Sequence, residues 1–490
     1  MKISEVQKKD PKAAATSERG VETPVGSASD RGTRFSHVNA GRWSKLLIFG
    51  CCALAGIRLA GAALVLTGAR IIDGTGGAPL ENGVVVLDGK QILDVGPADK
   101  VHAPPGAEVI DVHGKSIIPA LISAHSHLGL CQGALGPKPE NYTRENVQHQ
   151  LEQYERYGVL TVMSLGVNKD ILYAWREEQR MGKLGGADIF TADRGLGVQR
   201  GAPPFPLLQD QVYRPTSVEE ARADVRESVA RHPDLIKIWL DDLFGTAPKM
   251  EPEIFQAVIE QAHAIADEAH KSKLKVAAHI FYLSDAKALV KAGIDIIAHS
   301  VRDQPVDAEF IEAMKANGVV YIPTLDLDES QFIFAEQPAW MQEPFFTKAV
   351  DPVLLERWKS LLYAKEMQAN PNTPKNKAAA EIGQRNLKTL FDAGVKVAFG
   401  TDSGALPTRV QGFAEHRELQ LLVQAGLSPA EAIVCATKNS AEVIGASDRG
   451  TLELGKKADL LVLDGNPLDD IRNTTKIAMI IHEGKRISGP

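Results

Sequence analysis

Residues 117–128 read Ile117-Ile-Pro-Ala-Leu-Ile-Ser-Ala-His125-Ser-His127-Leu. The apolar, β-branched run predicts a buried strand, and it ends in two histidines one residue apart. Side chains at i and i+2 of a strand share a face, so both imidazoles converge on one point. Neutral imidazole is the commonest protein ligand for zinc-like metals, and the pair therefore reads as half of a metal site. Taken alone it is a modest signal; its weight depends on further ligands at other strand ends.

Downstream, β-rich apolar runs alternate with helical patterns. After the opening strand they fall at residues 158–165, 187–191, 235–240, 274–279, 294–299, 319–324 and 395–402, which makes eight. Between them lie amphipathic segments such as residues 252–272 and 283–292, with apolar residues at helical spacing. Eight β/α units predict an α/β fold of the TIM-type (β/α)8 class, in which the catalytic side chains stand at the C-terminal ends of the strands. On either side of this barrel, expected over residues 117–447, short alternating strands occupy residues 61–116 and 448–490. Asp88-Gly89 marks a hairpin turn in the first of these stretches. Both ends read as one small β-sandwich assembled from the two termini.

Residues 1–60 form a third region, a polar tail followed by a signal-like segment. Arg42 and Lys45 precede the apolar core of residues 46–56, and Ala53-Leu-Ala55 offers a small-x-small cleavage site. This core is too short for a stable membrane span. The expectation is a periplasmic or secreted protein, or a cytoplasmic one if the segment is not a signal. The chain has 490 residues, 44% hydrophobic and 24% charged, with a net charge of −7. That balance argues against nucleic acid as a partner. Four cysteines without a Cys-x-x-Cys spacing argue against a disulfide framework.

The polar residues fall where a barrel needs them. His279 closes the fifth strand, His299 the sixth and Asp402 the eighth, while Lys237 lies inside the fourth between Ile236 and Ile238. A lysine in an apolar strand is rare because desolvating an ammonium is costly. Four histidines, a lysine and an aspartate at matching ends of five strands are hard to reconcile with coincidence.

On these residues, with Gly-Thr-Asp402-Ser-Gly and the tail motif Gly-Lys-Lys-Ala-Asp-Leu-Leu-Val-Leu-Asp464, the chain resembles the amidohydrolase superfamily of metal-dependent hydrolases, in its imidazolonepropionase/prolidase-like branch. The resemblance implies two divalent metal ions, expected to be Zn2+. His125, His127 and Asp402 would hold one and His279 and His299 the other, with a carboxylated Lys237 bridging both. It implies hydrolysis of an amide-type C–N bond by a hydroxide shared between the metals, with Asp402 moving the proton. Small substrates fit this chemistry: an N-acyl amino acid, an Xaa-Pro-like dipeptide or a cyclic amide. The alternatives are a mononuclear deaminase or imidazolone-type hydrolase of the same fold, or a non-catalytic assembly protein. Homo-oligomer formation is left open.

For substrate contacts, Arg194 and Tyr282, with Arg200, are the candidates for a carboxylate partner. The long segment of residues 325–381 carries Phe332, Phe334, Trp340, Phe345, Phe346 and Trp358. These aromatics predict either the packing of an inserted helical pair or an apolar lid over the site.

Overall fold

The computed structural model describes residues 63–264 and 274–490. The signal-like segment lies outside the described residues, as does the end of the helix expected to reach residue 272. Among the described residues no helix is long and apolar enough to cross a membrane.

Five strands open the described chain: β1 (Leu64–Ile71), β2 (Leu80–Asp88), β3 (Gln91–Pro97), β4 (Glu108–Asp111) and β5 (Ser116–Pro119). Seven follow in the barrel: β6 (Leu121–Ser126), β7 (Val159–Ser164), β8 (Asp188–Thr191), β9 (Ile236–Trp239), β10 (Val276–His279), β11 (Ile296–Ala298) and β12 (Val320–Ile322). Three close the chain: β13 (Leu460–Leu463), β14 (Ile477–His482) and β15 (Lys485–Ile487).

The two termini meet in one continuous mixed sheet, in the order β15-β14-β13-β5-β1-β2-β3, with β4 also paired to β1. Both faces of this sheet are covered. Leu64, Leu66, Val85 and Leu87 pack on one side, and Val65, Val84 and Val86 pack with Val101 on the other, as the two-residue period of a strand requires.

The stretch 117–128 is not a single strand. Its first part is β5, antiparallel to β13, and its second part is β6, parallel to β7. Pro119 has no N–H to extend a ladder, and the hydrogen-bond partner changes just after it. The Ala120 N–H donates to the Asp459 carbonyl at 3.1 Å in the terminal sheet, whereas the Leu121 N–H donates to the Gly158 carbonyl at 3.0 Å in the barrel. One apolar run thus serves two sheets.

The barrel closes through backbone hydrogen bonds as well as regular ladders. Strands β6-β7-β8 and β9-β10-β11-β12 are parallel runs. Leu196 joins the first run to the second by donating to the Lys237 carbonyl at 2.8 Å and accepting from the Trp239 N–H at 3.1 Å. Residues 395–402, read as the eighth strand, form no regular strand but occupy its place. The Ala398 N–H donates to the Tyr321 carbonyl at 2.9 Å and the Ala124 N–H to the Phe399 carbonyl at 2.9 Å.

Alternation then sorts the strand residues. Ile236 and Ile238 point out to the helical layer, with Val258 and Ile259 of the helix Pro252–Ala264. Lys237 points the other way, into the barrel, where its register partner is Ala277. The interior holds many small side chains, among them Ala124, Ala192, Ala277, Ala298 and Ala398, and these leave room for the lysine stem.

Candidate metal centre

Strand β6 carries His125, His127 follows one residue beyond its end, and both are buried. Asp402 meets them from the eighth strand position. Its Oδ1 lies 3.2 Å from His125 Nε2 and 2.9 Å from His127 Nε2. Only the His127 contact has hydrogen-bond geometry. The approach depends on Gly400, where an added Cβ would lie 2.5 Å from the His125 Cβ. The possible ligand atoms of His125, His127 and Asp402 all lie within 4.8 Å of one another, the spacing of a metal triad.

The other predicted residues gather at the same point. The His299 ring centroid is 4.5 Å from that of His125 and 4.2 Å from that of His279. Lys237 is 0% exposed, and its Nζ lies 5.7 Å from the Trp239 ring centroid. His299 Nδ1 is 2.7 Å from the Thr324 hydroxyl, and His279 Nε2 is 2.9 Å from Asp241 Oδ2. Each of these two rings is oriented through one nitrogen, which leaves the other free to ligate.

Burial pushes His125, His279 and His299 below the ordinary imidazole range, so these rings are neutral and offer lone pairs. Burial also brings the Lys237 amine down to about 7, against the pull of Asp402. Burial alone would raise Asp402, but Arg409 and the two histidines outweigh it and hold the carboxyl well below the usual carboxylate range.

Several buried atoms here find no hydrogen-bond partner among the described residues: both ring nitrogens of His125, His127 Nδ1, His299 Nε2 and Lys237 Nζ. Buried polar groups are nearly always satisfied, so a concentration of orphan nitrogens in one spot needs an explanation. Divalent cations would supply one. Imidazoles and a carboxylate are the donor set of zinc-like ions, so the residues present fit such a group. The backbone at this end is also strained: His299, Thr324 and Asp402 have φ of 82°, 50° and 61°, in the left-handed region.

A cavity of about 320 Å³ opens over the cluster, large enough for a small ligand. Trp239, Phe205, Phe244 and Phe281 form apolar walls, and Arg302, Arg409 and Asp328 are polar points among them. Arg302 is buried, stands 3.4 Å from Asp328, and has an Nε with no hydrogen-bond partner among the described residues. Arg409 contacts Asp402 through Nη1.

Arg194 and Tyr282, expected at the substrate, do not line this cavity. Arg194 makes a two-pronged bond to Asp170 at 2.9 and 2.7 Å, and the Tyr282 hydroxyl donates to Asp242 at 3.0 Å. Arg200 lies outside the lining too. Of the two readings of the aromatics of residues 325–381, packing holds for most: Phe334 stacks on Trp358 at 3.9 Å, and both pack with Phe346, Met341 and Phe413. The insertion reaches the cavity instead through Leu327, Asp328, Gln331, Asn372 and Asn376. Sequence reasoning passed over Asp241, Arg302, Thr324 and Arg409. Arg302 and Asp241 carried a faint signal, since each is a charged residue a few positions beyond the end of a chemistry-bearing strand.

Residues 116–487 match the sequence profile of the Amidohydrolase family. An ochratoxinase from Aspergillus niger is 28% identical over 280 residues, which are 56% of this chain and 50% of that enzyme. The chain thus spans about half the length of the ochratoxinase it matches. A 5-methylthioadenosine/S-adenosylhomocysteine deaminase from Bacillus cereus is 24% identical over 451 residues, covering 83% of this chain and 89% of the deaminase. Among solved structures, a Xaa-Pro dipeptidase with bound methionine superposes with a TM-score of 0.69 at 24% identity, over 87% of this chain and 100% of that one. At that identity the likeness carries the fold alone.

Proposed function

Because this chain belongs to the amidohydrolase family, we propose that it is a binuclear metal-dependent hydrolase that cuts an amide-type C–N bond in a small substrate. The observation that carries this reading is the set of orphan buried nitrogens on His125, His127, His299 and Lys237, gathered around Asp402. In this reading His125, His127 and Asp402 would hold one ion, and His279 and His299 would hold the other. Lys237, whose burial favours the neutral amine, would add carbon dioxide with loss of a proton, and the resulting carboxylate would be a ligand shared by the two sets. When bound, two divalent ions supply an activated water at neutral pH and a Lewis acid for the scissile carbonyl.

The rest of the work falls to the chain's own groups. Asp402, whose Oδ1 faces the two imidazoles and whose Oδ2 faces Arg409, takes a proton in this reading and hands it to the leaving nitrogen. Arg409, against Oδ2, fixes the orientation of that carboxylate. Trp239, Phe244 and Phe281 enclose an apolar acyl or side-chain group and exclude water. Arg302, weakly engaged by Asp328, receives a substrate carboxylate. An N-acyl amino acid, an Xaa-Pro-like dipeptide or a cyclic amide satisfies these contacts.

A second reading, a mononuclear deaminase, is favoured by the coverage of the deaminase relative. A buried lysine at the centre of the site speaks against it, since one ion leaves that amine without a role. The test is a matched series offered to the metal-loaded chain: an N-acyl amino acid, its methyl ester and its decarboxylated analogue. Amide cleavage with preference for the free carboxylate is expected. Equal kcat/KM across the series would reject carboxylate recognition, and ammonia release from aminopurines without amide cleavage would move the assignment to a deaminase. Export belongs to the same proposal and rests on residues 42–56. N-terminal sequencing of fractionated cells should find cleavage after Ala55; an intact N-terminus in the cytosol would reject it.

A further inference from the structure

Two carboxylates with 0% exposure, Glu415 and Glu418, lie three residues apart on the helix Phe413–Gln424, and so on one side of it. Burying a carboxylate is costly, and among the described residues neither is ion-paired; the neighbouring Arg417 is taken by Glu329 in a two-pronged bond at 2.6 and 2.7 Å. Leucine would fill the same space without that cost. What compensates is where the hydrogen bonds go.

Glu415 Oε1 accepts from the hydroxyls of Ser123 at 3.1 Å, Thr401 at 2.8 Å and Ser403 at 2.7 Å, and Oε2 accepts from the Gly412 N–H at 2.9 Å. Thr401 and Ser403 flank Asp402, and Ser123 lies two residues before His125. Tyr154 continues the network, its hydroxyl 2.6 Å from Ser403 Oγ. Glu418 accepts from the N–H groups of Leu325 at 2.9 Å and Asp326 at 2.7 Å. Those two residues directly follow Thr324, whose hydroxyl orients His299. The segments held in this way contain Asp402 and Thr324, both with left-handed backbones that persist only when their surroundings hold them.

We propose that the helix Phe413–Gln424 is a strut joining the two halves of the metal centre, with Glu415 a positioning residue for Asp402 and Glu418 a positioning residue for His299 through Thr324. This rests on the metal-site reading above. Groups that orient ligands change metal affinity or activity by about 10–100-fold when removed, whereas a group that only supports the helix changes stability.

The experiment compares Glu415→Gln and Glu418→Gln with His416→Gln on the same helix. His416 is also buried, but it faces away, towards the Tyr157 carbonyl at 2.8 Å and the Thr474 hydroxyl at 3.1 Å. Zn2+ titration of the metal-stripped chain against a chromophoric chelator gives affinity; kcat, KM and Tm follow on the loaded enzyme with an N-acyl amino acid. Each glutamate variant should bind Zn2+ about tenfold more weakly and lose about 10–100-fold in kcat, with KM little changed. His416→Gln should lower Tm and leave Zn2+ affinity and kcat as they are. Ser403→Ala, which removes one hydroxyl, should reproduce part of the Glu415→Gln loss and combine with it less than additively. If the glutamate variants fail to fold, Ser403→Ala and Thr324→Val carry the test alone. Wild-type Zn2+ affinity and kcat in the variants that fold, or equal kcat losses in His416→Gln, would overturn the strut. A wild-type chain that binds no Zn2+ would instead overturn the metal-site reading beneath it.

Discussion

The two ends of the barrel each hold a cluster of histidine and aspartate at metal-like spacing, and the two clusters differ in how their charges are met. At the N-terminal end of β8, Asp188 lies 2.6 Å from Arg449 and is also paired with Lys457, and His482 Nδ1 is 2.6 Å from Glu155. Even its less engaged atoms face opposite charge: His482 Nε2 stands 3.8 Å from Asp188, and an Asp459 oxygen 3.5 Å from Lys457. Burial opposes charge on both Asp188 and His482, yet the partners win: the carboxyl is held well below its usual range and the imidazole is pushed up to about 9. At the C-terminal end burial pushes His125, His279 and His299 below the ordinary imidazole range, the lysine Nζ has no hydrogen-bond partner among the described residues and the backbone is strained. Similar residue types thus make an ion-pair network that ties the barrel to the terminal sheet at one end, and a set of waiting lone pairs at the other. Geometry alone does not separate the two; the balance of charge does.

The largest effect that tests this contrast is Asp402→Asn. It should lower kcat by about 10²–10⁴-fold with little change in KM, as measured by steady-state kinetics, because a proton carrier is lost while the binding walls stay. Asp188→Asn should do the reverse. Removing one partner of a largely buried ion pair should cost up to about 3 kcal/mol, read as a drop in denaturant midpoint, while kcat and metal content hold at wild-type values. Loss of activity beyond loss of folded protein would show that the two ends are not independent.

A smaller effect is expected at Arg302, which stands 3.4 Å from Asp328 where Arg449 stands 2.6 Å from Asp188. Arg302→Lys should cut kcat/KM for a carboxylate substrate by about tenfold and leave its methyl ester unchanged. The smallest effect concerns pH. The folded-state value of His482, about 9, lies above its ordinary 6.5, so its contribution to stability is complete below about pH 6.5 and is lost as the pH rises through about 9. Thermal melts across that window should show a loss in the wild-type chain that is reduced in His482→Gln.

The metal-site half of this contrast could be read from residue order. His125 and His127 share a face because strands have a period of two, and Lys237 stands out because its neighbours are apolar. The break at Ala120 was hidden because apolar character runs unchanged from one sheet into the next; only the switch of partner from Asp459 to Gly158 reveals it. Arg194 and Arg302 look alike as charged residues after strands. Asp170, 24 residues before Arg194, decides that Arg194 is occupied. The aromatics of residues 325–381 read first as packing and second as a lid. Their mutual stacking, as of Phe334 on Trp358, is a tertiary fact. Glu415 and Glu418 resemble any exposed helical glutamate until the helix is seen to lie against Thr401, Ser403 and Leu325.

The most direct test of the claim that the orphan nitrogens are metal ligands is a count of ions. Metal-stripped chain is reloaded with Zn2+ in bicarbonate buffer, dialysed and measured by atomic emission beside Lys237→Ala. Two ions per wild-type chain are expected, with fewer in Lys237→Ala and partial recovery of its activity by short-chain carboxylates. No bound ion in the wild-type chain, or two retained with full activity in Lys237→Ala, would contradict the account.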